Sequence, residues 1–258
     1  MSVLSDAQRQ SFVRDGFLHA PGFFQAEVIS AWRRELATLL QRPSEHHRRD
    51  LFTCDAPPTG APLDADNPHR VWRIMDLPLL GETWFKLICE PRIVVAMSEL
   101  LGPDINFHNG KAILKPPHFR PSNWGWHQDF AYEKHDRPEL AAALIYLHDM
   151  DASEGATEVL PGSHRSGDWT HSNDADLHSI PDEQIGSEAR PVAVKAGDVL
   201  FLHVLTVHRA GPNESSTSRC AVINEYKTAA AQDLWGNQLA FAELPLARGG
   251  RQRFGLLT

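Results

Sequence analysis

The chain has 258 residues, 42% of them hydrophobic and 22% charged, and a formal net charge of −8 at pH 7. That length suffices for one large domain with a substantial core, and the acidic balance argues against a surface built for nucleic acid or anionic lipid. No apolar run is long enough to span a bilayer, and the opening MSVLSDAQRQ lacks the basic-then-apolar layout of a signal peptide, so a cytoplasmic location is expected.

Taken in chain order, Ser5 with Gln8 three places on resembles a capping box and predicts a short helix that stops near Gly16. Val28, Ile29, Trp32, Leu36, Leu39 and Leu40 recur at three- and four-residue steps, which predicts a second helix ending before Pro43. From 43 to 67 the chain is rich in Pro, Asp, Arg and His without periodicity and reads as a long loop. Pro91 to Leu101, closed by Gly102, reads as a third helix. Short segments then follow one another: INFHNGKAIL, WHQDF, LAAALIYLHD, ATEVLPG, PVAVKAGD, VLFLHVLTVH and RCAVINEY, separated by Pro, Gly, Asn and Asp turns. Although alanine and leucine favour helix, LAAALIYL is short and flanked by strand-like segments, so it is read as a strand. Helices first and strands after predict an antiparallel sandwich or barrel backed by helices, in one domain, with 164 to 190 as a second long loop. The three cysteines, Cys54, Cys89 and Cys220, are widely separated and odd in number, which predicts buried free thiols. Most of the 14 histidines lie in polar stretches such as SEHHRRD and are expected at the surface.

One segment carries chemistry. In an extended WHQDF, His127 and Asp129 share a face while Gln128 turns away. His208 lies where an apolar strand gives way to the loop RAGPN, at a barrel rim. Two imidazoles and one carboxylate are the set that binds non-haem Fe(II) on one face and leaves positions open. A short His-x-Asp pattern also arises by chance in solvated turns. His203, opposite in register to His208, is read as non-ligating. Arg219 follows His208 by 11 residues and opens the strand RCAVINEY. Buried there, its guanidinium needs an anion, most simply a carboxylate, and a metal beside it points to a dicarboxylic co-substrate.

The stretch from about Asn106 to Tyr226 resembles the phytanoyl-CoA hydroxylase family of Fe(II)- and 2-oxoglutarate-dependent dioxygenases. The motifs in order are LKPP, WHQDF, GATEVLPGSHRSG, VKAGDVLFLH and HRAGPNESSTSR, and the opening QRQSFVRDGFLHAPGFF is similar to the family's usual start. The resemblance implies a double-stranded β-helix, or jelly roll, with helical residues at about 1–102, the core at about 103–228 and a tail at 229–258. It implies His127, Asp129 and His208 as iron ligands, Arg219 on the far carboxylate of 2-oxoglutarate, and hydroxylation of a C–H bond of a small molecule by O2 with release of succinate and CO2. Because Asp129 is a carboxylate, where related halogenases carry a small residue, the expected activity is hydroxylation. Ala210 departs from a serine that several members carry two places after the distal histidine.

Asn109 and Lys111 share a strand face with Ile113 and Lys115, and family members hold the co-substrate from this strand; the alternative is that the lysines point to water. Tyr146 aligns with a pocket aromatic of relatives, or is core packing. Trp126, Phe130, Tyr132 and His135 flank the metal motif and are candidates to meet substrate, with packing as the alternative. Trp72 and Arg73 are weaker candidates for the same role. Two other readings stand beside the oxygenase: a cupin-like metalloenzyme that needs no 2-oxoglutarate, and a non-catalytic metal- or ligand-binding protein.

Overall fold

The computed structural model describes residues 2–56, 64–120, 125–172, 179–236 and 239–254. Local signals account for helices at both ends of the helical part. Helix α1 (Asp6–Asp15) starts at Ser5, whose hydroxyl accepts from the Gln8 N–H while the Gln8 side chain accepts from the Ser5 N–H. It stops at Gly16, in the left-handed region. Helix α2 (Ala26–Gln41) buries Ile29, Leu36 and Leu40 and ends just before Pro43. Helix α3 (Glu82–Ile88), seven residues long, was not foreseen, being too short to show a period. Helix α4 (Pro91–Leu101) has proline in its first turn and buries Ile93, Val94, Ala96 and Met97.

The strands are β1 (Phe17–Ala20), β2 (Phe52–Cys54), β3 (Val71–Ile74), β4 (Ile105–Lys115), β5 (Leu140–Tyr146), β6 (Thr157–Val159), β7 (Arg190–Pro191), β8 (Val199–His203), β9 (His208–Ala210), β10 (Arg219–Thr228), β11 (Pro245–Arg248) and β12 (Arg251–Gln252). The large sheet runs β1-β8-β5-β10-β4-β11-β12, with β3 also on β4 and β2 on β3; the small sheet runs β7-β6-β9. Every pairing is antiparallel.

Strand alternation gives the large sheet two apolar faces. Ala141, Ala143, Ile145, Phe201 and Val222 meet Leu36, Trp84, Ile93 and Met97 of the helices. Leu144, Tyr146, Leu200, Leu202 and Ala221 face the other way, onto Met150, Val159 and Val194 at the small sheet. This double covering explains why β5 is a strand despite its alanines: all seven residues are buried between two layers. On the inner face Arg219, Ala221, Ile223 and Glu225 of β10 lie opposite Lys115, Ile113, Lys111 and Asn109 of β4.

Several expectations need correction. WHQDF holds two isolated bridges, Trp126 to Ile180 and His127 to His208, followed by a 3-10 turn, Asp129–Ala131, and PVAVKAGD contributes only Pro191 to β7 and a bridge from Val194 to Met150. The loop expected at 43–67 holds 3-10 turns at Pro43–Glu45 and Arg49–Leu51 and then β2, while 57–63 lie outside the described residues. The stretch from 229 carries β11 and β12, which extend the sheet beyond β4. The cysteines are free, but Cys54 is exposed because β2 is short and lies at the sheet margin. The histidines are mostly not surface groups: among the described residues His47, His69 and His118 are exposed, and the rest are at least partly buried. His46, His135, His171 and His203 reach backbone atoms two residues away, and His164 reaches the Val13 carbonyl of α1.

Candidate metal centre

His127 and His208 meet through the main chain. Each donates its N–H to the other's carbonyl, at 2.9 Å both ways, and this bridge sets the two rings with centroids 4.3 Å apart. Gln128 is extended (φ −111°, ψ 137°), so its side chain turns to the opposite side, where its amide donates to the carbonyls of Gly167 at 2.9 Å and Leu205 at 2.7 Å. The turn that begins at Asp129 then brings that carboxylate back toward the imidazoles. Asp129 Oδ1 is 3.8 Å from His127 Nε2 and 3.7 Å from His208 Nε2.

Both rings are oriented by the backbone. His127 Nδ1 donates to the Gly125 carbonyl and His208 Nδ1 to that of Thr206, each at 2.9 Å. With the proton on Nδ1, each Nε2 presents a lone pair toward Asp129. Burial, and next the neighbouring His208, pushes the His127 imidazolium well below its usual range, so this ring is held neutral. Burial raises the Asp129 carboxyl against the opposing pull of His208. Two imidazole nitrogens and a desolvated carboxylate form a donor set that fits a divalent cation, and the three ligand atoms lie within 4.8 Å of one another.

A second polar cluster adjoins the first, and the sequence reading missed it. His108 Nε2 lies 2.5 Å from Glu133 Oε2, Asn109 Nδ2 donates to Glu133 Oε1 at 3.3 Å, and Lys111 Nζ donates to Glu225 Oε1 at 2.6 Å. Burial, then repulsion from Glu225, pushes the Glu133 carboxyl up to about 7. Burial opposes the charge on Lys111, yet Glu225, Glu133 and Asp129 together raise it above its ordinary value. Glu225 was legible in principle, since it continues the inward parity of Arg219, Ala221 and Ile223. Glu133 had no local signal.

Among the other predicted residues, Asn109 and Lys111 lie in this cluster, on the inner face as expected. Tyr132, partly exposed, stands edge-on to His127 with ring centroids 5.6 Å apart. His135 is buried, its Nδ1 donating to the Glu133 carbonyl at 2.7 Å. Phe130 packs with Leu140, Val204 and Leu205, and Trp126 with Ile180 and Val207 under the Arg209 guanidinium. Tyr146 is buried, its hydroxyl 2.9 Å from Thr157 Oγ1. His203 packs against Phe12 and His164, apart from the ligand group. Arg73 lies opposite Ile113 on β4 with its guanidinium over the Trp72 ring.

Arg219 is mostly buried and ion-paired with Glu154, and it also reaches Thr217 Oγ1. It lines a cavity of about 370 Å³ with Arg33, Asp64, His148 and Ser218, which none of His127, Asp129 and His208 lines. Its anion in this structure is therefore supplied by the chain itself.

The model of the phytanoyl-CoA dioxygenase family matches residues 12–221. A probable alpha-ketoglutarate-dependent hypophosphite dioxygenase from Stutzerimonas stutzeri is 26% identical over 240 residues, covering 88% of this chain and 79% of the relative. An ectoine dioxygenase from Bordetella parapertussis is 26% identical over 246 residues, covering 88% and 76%. Among solved structures, EctD from S. alaskensis with bound Fe superposes with a TM-score of 0.74 at 17% identity, over 90% of this chain and 79% of that one, which supports the same jelly-roll fold. No helix among the described residues is long and apolar enough to cross a membrane. With its family match spanning most of the chain and its fold shared with these relatives, the protein belongs to the phytanoyl-CoA dioxygenase family.

Proposed function

We propose that the chain is a non-haem iron enzyme that uses 2-oxoglutarate and O2 to hydroxylate a C–H bond of a small-molecule metabolite, with His127, Asp129 and His208 as the metal ligands. The observation that carries this reading is the pair of imidazoles locked by Gly125 and Thr206 so that both Nε2 atoms face one carboxylate. Fe(II) held there with 2-oxoglutarate supplies the oxidising chemistry, placing one oxygen atom in the substrate and the other in succinate as CO2 leaves.

The chain's own contribution is placement. The two carbonyls fix the imidazole orientations, and Asp129 supplies the anionic ligand that a hydroxylase keeps. In this reading Arg219 exchanges Glu154 for the far carboxylate of 2-oxoglutarate, a like-for-like trade of one carboxylate for another. Lys111, held charged beside Asp129 and Glu225, balances the negative charge of the pocket. Tyr132 stands at the mouth beside His127. Relatives named for hypophosphite and for ectoine support a small free substrate. We place the enzyme in the cytoplasm, since the free, exposed Cys54 suits a reducing compartment.

The test is anaerobic addition of Fe(II) and then 2-oxoglutarate, followed by visible absorption. A metal-to-ligand charge-transfer band is expected in the wild type and not in His208→Ala. Folded wild-type protein that gives no band would sink the assignment. A metabolite screen scored by succinate release then finds the substrate.

A further inference from the structure

Gln128 stands between two of the proposed iron ligands, yet ligation itself gives it no task. It is fully buried, and a buried amide is costly unless its donors and acceptor are met. Here they are met by two separate segments. Nε2 donates to the Leu205 carbonyl at 2.7 Å and to the Gly167 carbonyl at 2.9 Å, while Oε1 accepts the Trp169 N–H at 2.8 Å. The Gln128 N–H donates to Nε2 of His171 at 3.1 Å, and that ring is oriented by its own Nδ1, which donates to the Trp169 carbonyl at 2.8 Å.

The two segments differ in standing. Leu205 lies just ahead of β9 and His208, on the chain that already exchanges two backbone hydrogen bonds with His127. That bridge alone would let the segments pivot about one point. The Gln128 amide on Leu205, and the Phe130 N–H on the Val204 carbonyl at 3.1 Å, add further points and fix the angle at which the imidazoles meet Asp129. Residues 167–171, by contrast, belong to no helix or strand. Besides Gln128, they are held by Trp169 packing against Trp126, Ile180 and Val207 and by an ion pair of Asp168 with Lys134 that is open to water.

We infer that Gln128 is a positioning residue that couples the metal centre to residues 167–171: it holds the ligand-bearing segments at the spacing an ion needs, and metal binding in turn orders 167–171 through it. The inference rests on the reading of His127, Asp129 and His208 as metal ligands. Ligation at residues 127 and 129 restrains the backbone on both sides of Gln128 and so fixes the direction of its amide. The Gly167 carbonyl and the Trp169 N–H take their positions from that amide. Because coupling between two equilibria is reciprocal, loosening residues 167–171 weakens metal binding by the same factor. Methionine at 128 has a similar length without the amide. It strands two carbonyls and one N–H and cuts the tie.

The probe is Co(II), titrated into the metal-free full chain against a competing chelator and followed by its visible bands. Gln128→Met is expected to bind Co(II) about 10- to 100-fold more weakly than wild type. Gly197→Ala, whose added methyl meets Phe24 and not the metal group, serves as a destabilised control and should keep wild-type affinity. Hydrogen exchange is the second readout: Co(II) should slow the Trp169 amide of the wild type by about fivefold or more and leave it unchanged in Gln128→Met. If the methionine variant does not fold, Gln128→Glu replaces it; it keeps an acceptor for Trp169, loses the donors to Gly167 and Leu205, and should also weaken Co(II) binding. Unchanged affinity in a folded Gln128 variant, an equal loss in Gly197→Ala, or a wild-type Trp169 amide indifferent to Co(II) overturns the proposal. Wild type that binds Co(II) but gives no iron–2-oxoglutarate band removes the oxygenase reading alone. A normal band with unchanged Co(II) affinity in Gln128→Met removes this inference alone, and wild type that binds no Co(II) removes both.

Discussion

Replacing Arg219 by methionine tests the co-substrate assignment most directly, because the structure gives this guanidinium a partner that 2-oxoglutarate must displace. A charge-assisted hydrogen bond contributes about 1.5–3 kcal/mol, so a two-pronged contact to a carboxylate is worth about 3–6 kcal/mol before anything is subtracted. The subtraction is the existing pair with Glu154. Its side chains are 14% and 25% exposed, so it is neither a free surface pair nor a fully buried one, and about 1–2 kcal/mol is a reasonable cost for opening it. The balance of about 2–4 kcal/mol predicts that Arg219→Met raises the KM for 2-oxoglutarate by about 30- to 1000-fold. Glu154→Gln acts in the opposite direction: it removes the internal competitor and should lower that KM about 5- to 30-fold. The assay is titration of 2-oxoglutarate into anaerobic Fe(II) protein, read by the charge-transfer band, with succinate release as a second readout. If Arg219→Met binds the co-substrate as tightly as wild type, the diacid is held elsewhere, and a metalloenzyme that needs no 2-oxoglutarate regains ground.

Asp129→Ala removes the only carboxylate of the metal group, and succinate release should fall to background while the melting temperature stays close to wild type; retained turnover would remove Asp129 from the ligand set. The Glu133 carboxyl is raised from 4.5 to about 7, chiefly by burial and then by Glu225, so the folded protein holds a proton that the unfolded chain has released. That contribution to stability is present in acid and is lost as pH rises through about 7, so metal-free wild type should show a fall in melting temperature across that window that Glu133→Gln flattens. Tyr146→Phe breaks the buried contact with Thr157 and should cost about 1 kcal/mol in chemical denaturation without changing the KM for 2-oxoglutarate; a variant of full stability and poor co-substrate binding would reverse the roles. Gly197 has φ +97°, and a β-carbon there would stand 2.5 Å from the Phe24 carbonyl oxygen, so Gly197→Ala should destabilise by about 1–3 kcal/mol, measured by the same denaturation.

What the amino-acid order determined by itself is local or periodic. The capping box at Ser5, the stop at Gly16, the proline at the head of α4 and the inner-face parity of Asn109 and Lys111 each follow from a few neighbouring residues. The histidine–aspartate spacing survived even where the strand did not. An extended Gln128 is enough to return Asp129 to the side of His127, whether the next residues continue as strand or curl into a 3-10 turn. Short elements such as α3, β2 and β3 were not legible, because three to seven residues hold too little pattern to separate them from loop.

The tertiary structure alone decided who meets whom. His208 reaches His127 through a bridge between segments 81 residues apart, and Arg219 finds Glu154 across 65. Glu225 comes to lie against Glu133 only because β10 pairs with β4 in one register, which shifts at the bulge between Glu225 and Tyr226. A side chain's parity is a property of its own strand, whereas its partner depends on the registers of two sheets. Those registers are set by the summed burial of residues far from the site.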